Sequence, residues 1–164
     1  MRHLLLTAGL LSAALLAGCG KKGEAVMPAA PGEQASAPAP AEKSPAEVKA
    51  MLATLPAAYQ SADVADGERQ SGQCRSCHSF AKDGANMTGP HLWGAVGRKA
   101  GSIADFNYSD GVKKSGLTWD APTLDKWIEN PRQVVPDTKM SFLGIKDPQK
   151  RKNLIAWLRT QADK

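Results

Sequence analysis

Apolar residues in the second half of the chain recur at intervals of three and four positions, which is the period of an amphipathic helix. Leu124, Trp127 and Ile128 share one face of such a segment, which Asp120 can cap and Pro131 would end. We therefore predict a helix between Asp120 and Pro131, with its apolar face turned towards a core.

A second segment with the same period lies near the C-terminal end. It begins at Asp147-Pro148, since an acidic residue followed by a proline is typical of a helix start. Its apolar positions are Leu154, Ile155, Trp157 and Leu158. No stretch alternates between apolar and polar residues as a half-buried strand does, so the pattern favours an all-α fold.

The N-terminal region has a different pattern, with an apolar run over residues 4–16 that follows Arg2. The run is too short to cross a bilayer as a helix. A charged start, a short apolar run and small residues before a cut site are typical of a secretory signal peptide. The run ends in Leu-Ala-Gly-Cys, which resembles a bacterial lipobox. We predict a lipoprotein signal peptide at residues 1–18 and acylation of Cys19, and an ordinary signal peptide cut nearby is the alternative.

Residues 19–56 are rich in alanine and proline and contain no aromatic residue. Such a composition buries too little apolar surface to fold alone, so we predict a lipid-anchored linker over this range. One part has the pattern of a short helix, because Ser44 and Glu47 are spaced as a capping box and Pro56 would end it. The folded domain is predicted at residues 57–164.

Composition narrows the class of protein further. The chain has 164 residues, which is too few for a multidomain enzyme. Its 21 Lys and Arg against 16 Asp and Glu give a net charge of +5, which is mild for a nucleic-acid binder. Three cysteines allow at most one disulfide, so a disulfide-stabilised fold is excluded.

The strongest chemical signal is the C-x-x-C-H sequence formed by Cys74, Cys77 and His78, which is typical of c-type haem attachment. Two thiols add across the haem vinyl groups, and the adjacent histidine then lies under the iron. A zinc site would need about four ligands, and few candidates remain elsewhere in the chain. A thioredoxin-like redox pair would need a βαβ context that the sequence does not show.

Further motifs follow this sequence in a fixed order. They are Gly89-Pro90-His91-Leu92, Gly97-Arg98, Phe106-Asn107-Tyr108-Ser109-Asp110, Gly116-Leu117-Thr118-Trp119, Glu129-Asn130-Pro131 and Pro136-Asp137-Thr138-Lys139-Met140. Together with the C-x-x-C-H sequence they resemble the class I c-type cytochromes, of the kind similar to mitochondrial cytochrome c. The resemblance extends from about Asp63 to Lys164.

The resemblance implies a small all-α cytochrome c fold of about four to five helices, wrapped around one covalent haem c. Its first helix would run from Asp63 to Cys74. Long glycine-rich loops between Phe80 and Ser115 are unusual in so small a domain. A covalent haem would resolve this, because the loops could pack against the porphyrin.

The resemblance also implies the ligands of the iron. His78 would be the proximal ligand and Met140 the distal ligand, while the carbonyl of Pro90 would accept a hydrogen bond from His78. The alternatives are that Met140 only fills the core, or that His91 takes the distal position. The haem propionates would be contacted by Arg98, Tyr108, Ser109 and Trp119.

A six-coordinate iron has no open position for a substrate, so we expect a one-electron carrier and not an enzyme. The resemblance implies redox proteins as partners, namely a quinol-oxidising cytochrome bc complex and a terminal oxidase or similar acceptor. It also implies that Arg132, Lys139 and Lys146 fall at positions where basic residues of the family dock such partners. Other basic docking positions are replaced by Gln73, Gln133 and Asp147, so we expect weaker, less salt-steered docking.

The carrier is expected on the periplasmic side of a bacterial membrane, held by Cys19, in a respiratory or photosynthetic chain. The alternatives are a haem enzyme or gas sensor with an open distal position, and a haem subunit fixed permanently on an oxidase. The enzyme alternative lacks support, because the sequence offers no recognisable catalytic acid or base beside the haem.

Overall fold

The structure, a computed structural model, describes residues 43–163. Within this range the only paired extended residues form an isolated bridge between Lys99 and Thr118. The helices in chain order are α1 (Pro45–Leu52), α2 (Ala57–Gln60), α3 (Val64–Ser71), α4 (Asp110–Lys114), α5 (Ala121–Glu129), α6 (Pro131–Val134) and α7 (Pro148–Thr160). The predicted all-α class is confirmed.

Helix α7 lies at the centre of the domain, because α1, α2, α3 and α5 all pack against it. It begins after Asp147, whose side chain accepts hydrogen bonds from two N–H groups of the first turn. Leu154 and Ile155 on its inner face are almost completely buried. Helix α5 begins after Asp120 in the same way. Both helices that the apolar spacing predicts are therefore present.

Helices α3 and α7 cross closely because Gly67 carries no side chain. A Cβ atom at Gly67 would overlap the carbonyl oxygen of Asn153 and lie 2.7 Å from the Cβ of Trp157. Ser71, one turn later in α3, is fully buried, and the ring of Trp157 packs edge-on against Phe80 at 4.8 Å. The end of α3 is thereby fixed against the core, and the cysteine-containing turn follows directly.

Helix α1 lies within the predicted linker. Its N-terminus has the full capping box between Ser44 and Glu47. Met51, Leu52 and the following Leu55 are buried, and α1 packs on α7. The packed part of the chain thus begins before residue 57, because one side of this short helix buries apolar residues that composition alone does not distinguish from linker.

The predicted signal peptide at residues 1–18, the acylated Cys19 and residues 20–42 of the predicted linker lie outside the described residues. No helix in the described range is long and apolar enough to span a membrane.

Candidate haem-binding site

Cys74, Cys77 and His78 lie on a single turn that continues from the end of α3. The N–H of Cys74 donates to Ser71, and the N–H groups of Cys77 and His78 both donate to the carbonyl of Cys74, at 3.1 and 2.9 Å. Both thiols are free and half-buried. The chain therefore presents the two thiols and the imidazole from one short, hydrogen-bonded stretch of backbone.

The Cys74 thiol is held in its neutral form by its surroundings. Burial raises the pKa of the Cys74 thiol to about 11. Thiols that bind zinc or take part in disulfide exchange have lowered pKa values, because the thiolate is their reactive form. Among the described residues, no group of three or more His, Cys, Asp and Glu side chains is placed to hold a metal ion. The raised pKa of the Cys74 thiol does not favour the zinc and redox-pair alternatives.

The imidazole of His78 is oriented by the backbone that follows it. Its Nδ1 lies 2.7 Å from the carbonyl oxygen of Pro90, so Nδ1 donates and Nε2 is left as the nitrogen able to bind a metal. Burial lowers the pKa of His78, which favours the neutral, ligating form. A Cβ atom at Gly89 would overlap the ring, so glycine is required beside it.

Met140 is half-buried in the segment between α6 and α7, which we call the Met140 loop and define as residues 137–146. The N–H of Met140 donates to the hydroxyl of Thr138 at 3.2 Å. Asp137 accepts a hydrogen bond from the N–H of Gly111 at 2.8 Å, in the first turn of α4. The Lys139 ammonium donates to the carbonyl of Asn107 at 3.0 Å. Side chains just before Met140 thus connect its loop to residues 107–111.

The far end of the Met140 loop is held by α5 and α7. The N–H of Ile145 donates to Ile128 at 2.9 Å. The guanidinium of Arg151, which is 5% exposed, donates to the carbonyls of Ile145 and Lys146 and to Asp125 at 2.9–3.0 Å. The hydrogen bond to Asp125 raises the pKa of Arg151, so the guanidinium remains positively charged.

Three of the residues predicted to contact the propionates, Arg98, Tyr108 and Trp119, lie near one another in the structure. The N–H of Trp119 donates to the carbonyl of Arg98 at 2.8 Å, which pairs the two residues. The charge of Arg98 opposes the effect of burial on the pKa of Tyr108, so this phenol lies within its field. The Arg98 guanidinium donates to the carbonyls of His91 and Trp93, both at 2.9 Å.

The remaining predicted site residues lie in separate parts of the chain. Ser109 is buried and caps α4 by accepting from Val112. The Nδ1 of His91 is buried and has no hydrogen-bond partner among the described residues. Arg132, Lys139 and Lys146 are exposed, and the Lys146 ammonium donates to the carbonyl of Glu129 at 2.7 Å.

Arg151 contributes to this site but was not predicted from the sequence. Gly89 and Asp137 were named only as members of motifs, and their roles beside His78 and in the Met140 loop were not predicted. Arg151 had a usable signal, because it lies three, four and seven positions before Leu154, Ile155 and Leu158 on the buried face of α7. A charged residue on an apolar face indicates a buried polar partner.

The described residues fit a covalently attached haem. Two cysteine thiols and an oriented imidazole lie on one turn, and a Cβ atom at Gly89 would overlap the imidazole, so any side chain there would displace the ring. C-type haem attachment requires two thiols that can form thioether bonds with the haem vinyl groups and a neutral imidazole nitrogen that can bind the iron.

Comparison with known proteins agrees with a haem-binding function. No protein-family model matches the chain. It is 49% identical over 116 residues to a protein named cytochrome c2 from Rhodomicrobium vannielii, covering 71% of this chain and 93% of that protein. The chain belongs to the class I c-type cytochromes. It is also 47% identical to cytochrome c2 iso-2 of Magnetospirillum fulvum, over 58% of this chain and 99% of that protein.

A solved structure supports the family fold. Cytochrome cH from Methylobacterium extorquens matches with a TM-score of 0.56 and 49% identity, covering 60% of this chain and 98% of that chain. As a class I c-type cytochrome, the protein carries one covalently attached haem c and is a single-haem electron carrier and not an enzyme. Its partners are redox proteins.

Proposed function

We propose that this cytochrome is a membrane-tethered periplasmic carrier, with haem bound through thioethers at Cys74 and Cys77 and iron ligated by His78 and Met140. The haem supplies a reversible one-electron change when bound. The observation that carries the proposal is the oriented His78 ring, with Nδ1 at 2.7 Å from Pro90 and both thiols on the same turn.

The chain's own residues would keep both ligands in place during electron exchange. The Pro90 carbonyl fixes the ring orientation of His78, and the bonds of Asp137 and Lys139 hold the Met140 loop against residues 107–111. A ligand set that moves little suits fast, reversible exchange. Arg98 and the hydroxyl of Tyr108 would offer a positive charge and a donor to the propionates, and Ser109 and Trp119 would contribute the other contacts.

The carrier would accept electrons from a quinol-oxidising cytochrome bc complex and pass them to a terminal oxidase or similar acceptor in a respiratory or photosynthetic chain. Acylated Cys19 would confine it near these complexes and so raise its effective concentration. Docking would use Arg132, Lys139 and Lys146, which are exposed on or next to the Met140 loop.

The visible spectrum of the purified holoprotein tests the ligation. We expect low-spin peaks after reduction and a weak sulfur-to-iron band in the oxidised form, and Met140→Ala should lose that band. High-spin haem that binds carbon monoxide rapidly in the wild-type protein would contradict the proposal and favour an open-site enzyme or sensor.

The anchor is tested separately by mass spectrometry of the membrane fraction. We expect diacylglycerol on Cys19 and release of the Cys19→Ala variant into the soluble periplasmic fraction. A wild-type protein without acyl chains would contradict the tether and leave the ligation proposal standing. Permanent co-purification with an oxidase in stoichiometric amount would favour a fixed subunit over a mobile carrier.

A further inference from the structure

Tyr59 lies in α2, in the part of the chain that precedes the resemblance to the class I c-type cytochromes, which begins at about Asp63. Its side chain is 8% exposed and belongs to the main apolar core. A buried aromatic ring by itself indicates only core packing. What distinguishes Tyr59 is the charged pair beside which it is buried.

The hydroxyl of Tyr59 donates to the carbonyl of Ala121 at 3.4 Å, at the start of α5. Asp125 follows one turn later on the same side of α5 and pairs with Arg151 at 2.9 Å. Burial raises the pKa of Tyr59, and the charges of Asp125 and Arg151 also act on it, so the phenol lies within the field of both. The ring of Tyr59 therefore lies next to the ion pair between α5 and α7.

This ion pair is what connects the far end of the Met140 loop to the core. The buried guanidinium of Arg151 donates to the loop carbonyls of Ile145 and Lys146 at 3.0 and 2.9 Å. Glu129, which approaches the guanidinium at 3.7 Å, is half-exposed, so water is close on that side. Hydrogen bonds of a charged group are stronger where water does not compete for it. A ring that excludes water from another side of the pair strengthens the attachment of the loop.

We propose that Tyr59 is a positioning residue for Met140, because its ring covers the ion pair of Arg151 and Asp125 and so keeps the Met140 loop attached to the core. This rests on the proposed function, since the loop matters to the iron only if Met140 is its ligand. A loop that is held more firmly opens less often, so the iron keeps its sixth ligand while electrons are exchanged. A residue outside the family's common core thereby strengthens the distal ligation.

Binding of imidazole to the oxidised, haem-loaded, full-length protein tests this role, because imidazole reaches the iron only when Met140 leaves it. Loss of the sulfur-to-iron band gives the apparent affinity, which rises with the fraction of molecules whose loop is open. We expect Tyr59→Ala to raise the apparent imidazole affinity about tenfold, since ion pairs open to water contribute far less than buried ones. Tyr59→Leu, a milder change that leaves the core filled, should give a smaller rise.

Tyr59→Phe distinguishes the ring from the hydroxyl. It keeps the cover over the ion pair and removes only a long hydrogen bond to Ala121, so its imidazole affinity should stay within about twofold of wild type. A rise in Tyr59→Phe as large as in Tyr59→Ala would assign the effect to the hydroxyl and overturn the covering role.

Leu52→Ala is the matched control. Leu52 is as buried as Tyr59 and belongs to the same core, but it lies in α1, where Thr54 bonds to Arg159 in the last turn of α7. Leu52→Ala should lower the free energy of unfolding and leave the imidazole affinity unchanged. An equal rise in affinity in Leu52→Ala and Tyr59→Ala would show that Tyr59 acts only through global stability, which overturns the positioning role.

A double variant tests whether the effect passes through Arg151. In the Arg151→Met protein the ion pair is already absent, so adding Tyr59→Ala should raise the imidazole affinity little further. The same tenfold rise in both backgrounds would mean that Tyr59 acts on Met140 by another route, and the inference would be wrong.

The wild-type protein separates this inference from the proposed function. If its oxidised form shows no sulfur-to-iron band, the proposed ligation is wrong and the inference falls with it. If the band is present and Tyr59→Ala and Tyr59→Leu bind imidazole as wild type does, the inference alone is wrong and the ligation stands.

Discussion

His78 and Met140, the two proposed ligands, are held by different kinds of interaction. His78 is fixed by backbone within twelve residues of it, through the Cys74 turn, the Pro90 carbonyl and the absence of a side chain at Gly89. Met140 lies in a loop held largely by side-chain hydrogen bonds. Asp137 and Lys139 bond to residues 26 and 32 positions earlier in the chain, and Arg151 connects the far end of the loop to Asp125, 26 positions away.

This difference predicts where the site should tolerate substitutions. A local backbone arrangement leaves little room for adjustment, so a clash there should remove the ligand altogether. A loop held by several separate side-chain hydrogen bonds can lose them one at a time. We therefore expect the stability of the Met140 loop to fall in steps, with Met140 released before the rest of the domain unfolds.

The largest effect is expected at Gly89, on the His78 side. In Gly89→Val the new side chain must displace the imidazole, at a cost of about 3 kcal/mol or more. We expect little or no correctly ligated holoprotein, measured as haem per protein and by the visible spectrum. Gly72→Ala is the control, because its Cβ would come only within 3.2 Å of the Arg69 carbonyl. Normal spectra from Gly89→Val would refute the local constraint.

The next effect is expected at Arg151, on the Met140 side. Arg151→Met removes donors from two carbonyls of the loop and leaves Asp125 without its ion pair. We expect a loss of about 3 kcal/mol in the free energy of unfolding, and loss of the sulfur-to-iron band at lower denaturant concentration than global unfolding. Arg159→Met on the same helix should cost far less, since within residues 43–163 the Arg159 side chain donates only to the Thr54 hydroxyl. Equal losses in the two variants would argue against a specific role in holding the loop.

A smaller effect is expected at Asp137. In Asp137→Ala the N–H of Gly111 loses its acceptor, which should cost about 1 kcal/mol. The readout is the denaturant concentration at which the sulfur-to-iron band disappears. Asp137→Asn retains a carbonyl oxygen, so the denaturant concentration at which it loses the band should lie between those of wild type and Asp137→Ala. No shift in Asp137→Ala would mean that the contact with α4 does not hold the ligand.

The smallest effect on stability is expected at Lys146. Its ammonium donates to the Glu129 carbonyl but is exposed, so Lys146→Gln should change the free energy of unfolding by about 0.5 kcal/mol or less. Its effect should appear in the salt dependence of electron transfer to acidic partners. A large loss of stability would place Lys146 among the residues that hold the loop.

Local sequence was sufficient for much of the fold. Asp120 and Asp147 indicate the starts of α5 and α7, and the apolar spacing indicates their buried faces, because caps and helical periodicity depend on residues a few positions apart. The Ser44 capping box was visible for the same reason. The packing of α1 on α7 could not be predicted, because the sequence does not indicate which element lies against the short apolar side of α1.

The sequence by itself determined the C-x-x-C-H turn and the helical class, because thioether attachment and helix formation both depend on spacing along the chain. Only the tertiary structure decided what holds the Met140 loop. The Asp137 carboxylate meets Gly111 and the Arg151 guanidinium meets Asp125, in each case 26 positions apart in the sequence, a separation that no local pattern records. A hydrogen bond requires two groups at about 3 Å, and for distant residues the folded chain alone brings them there.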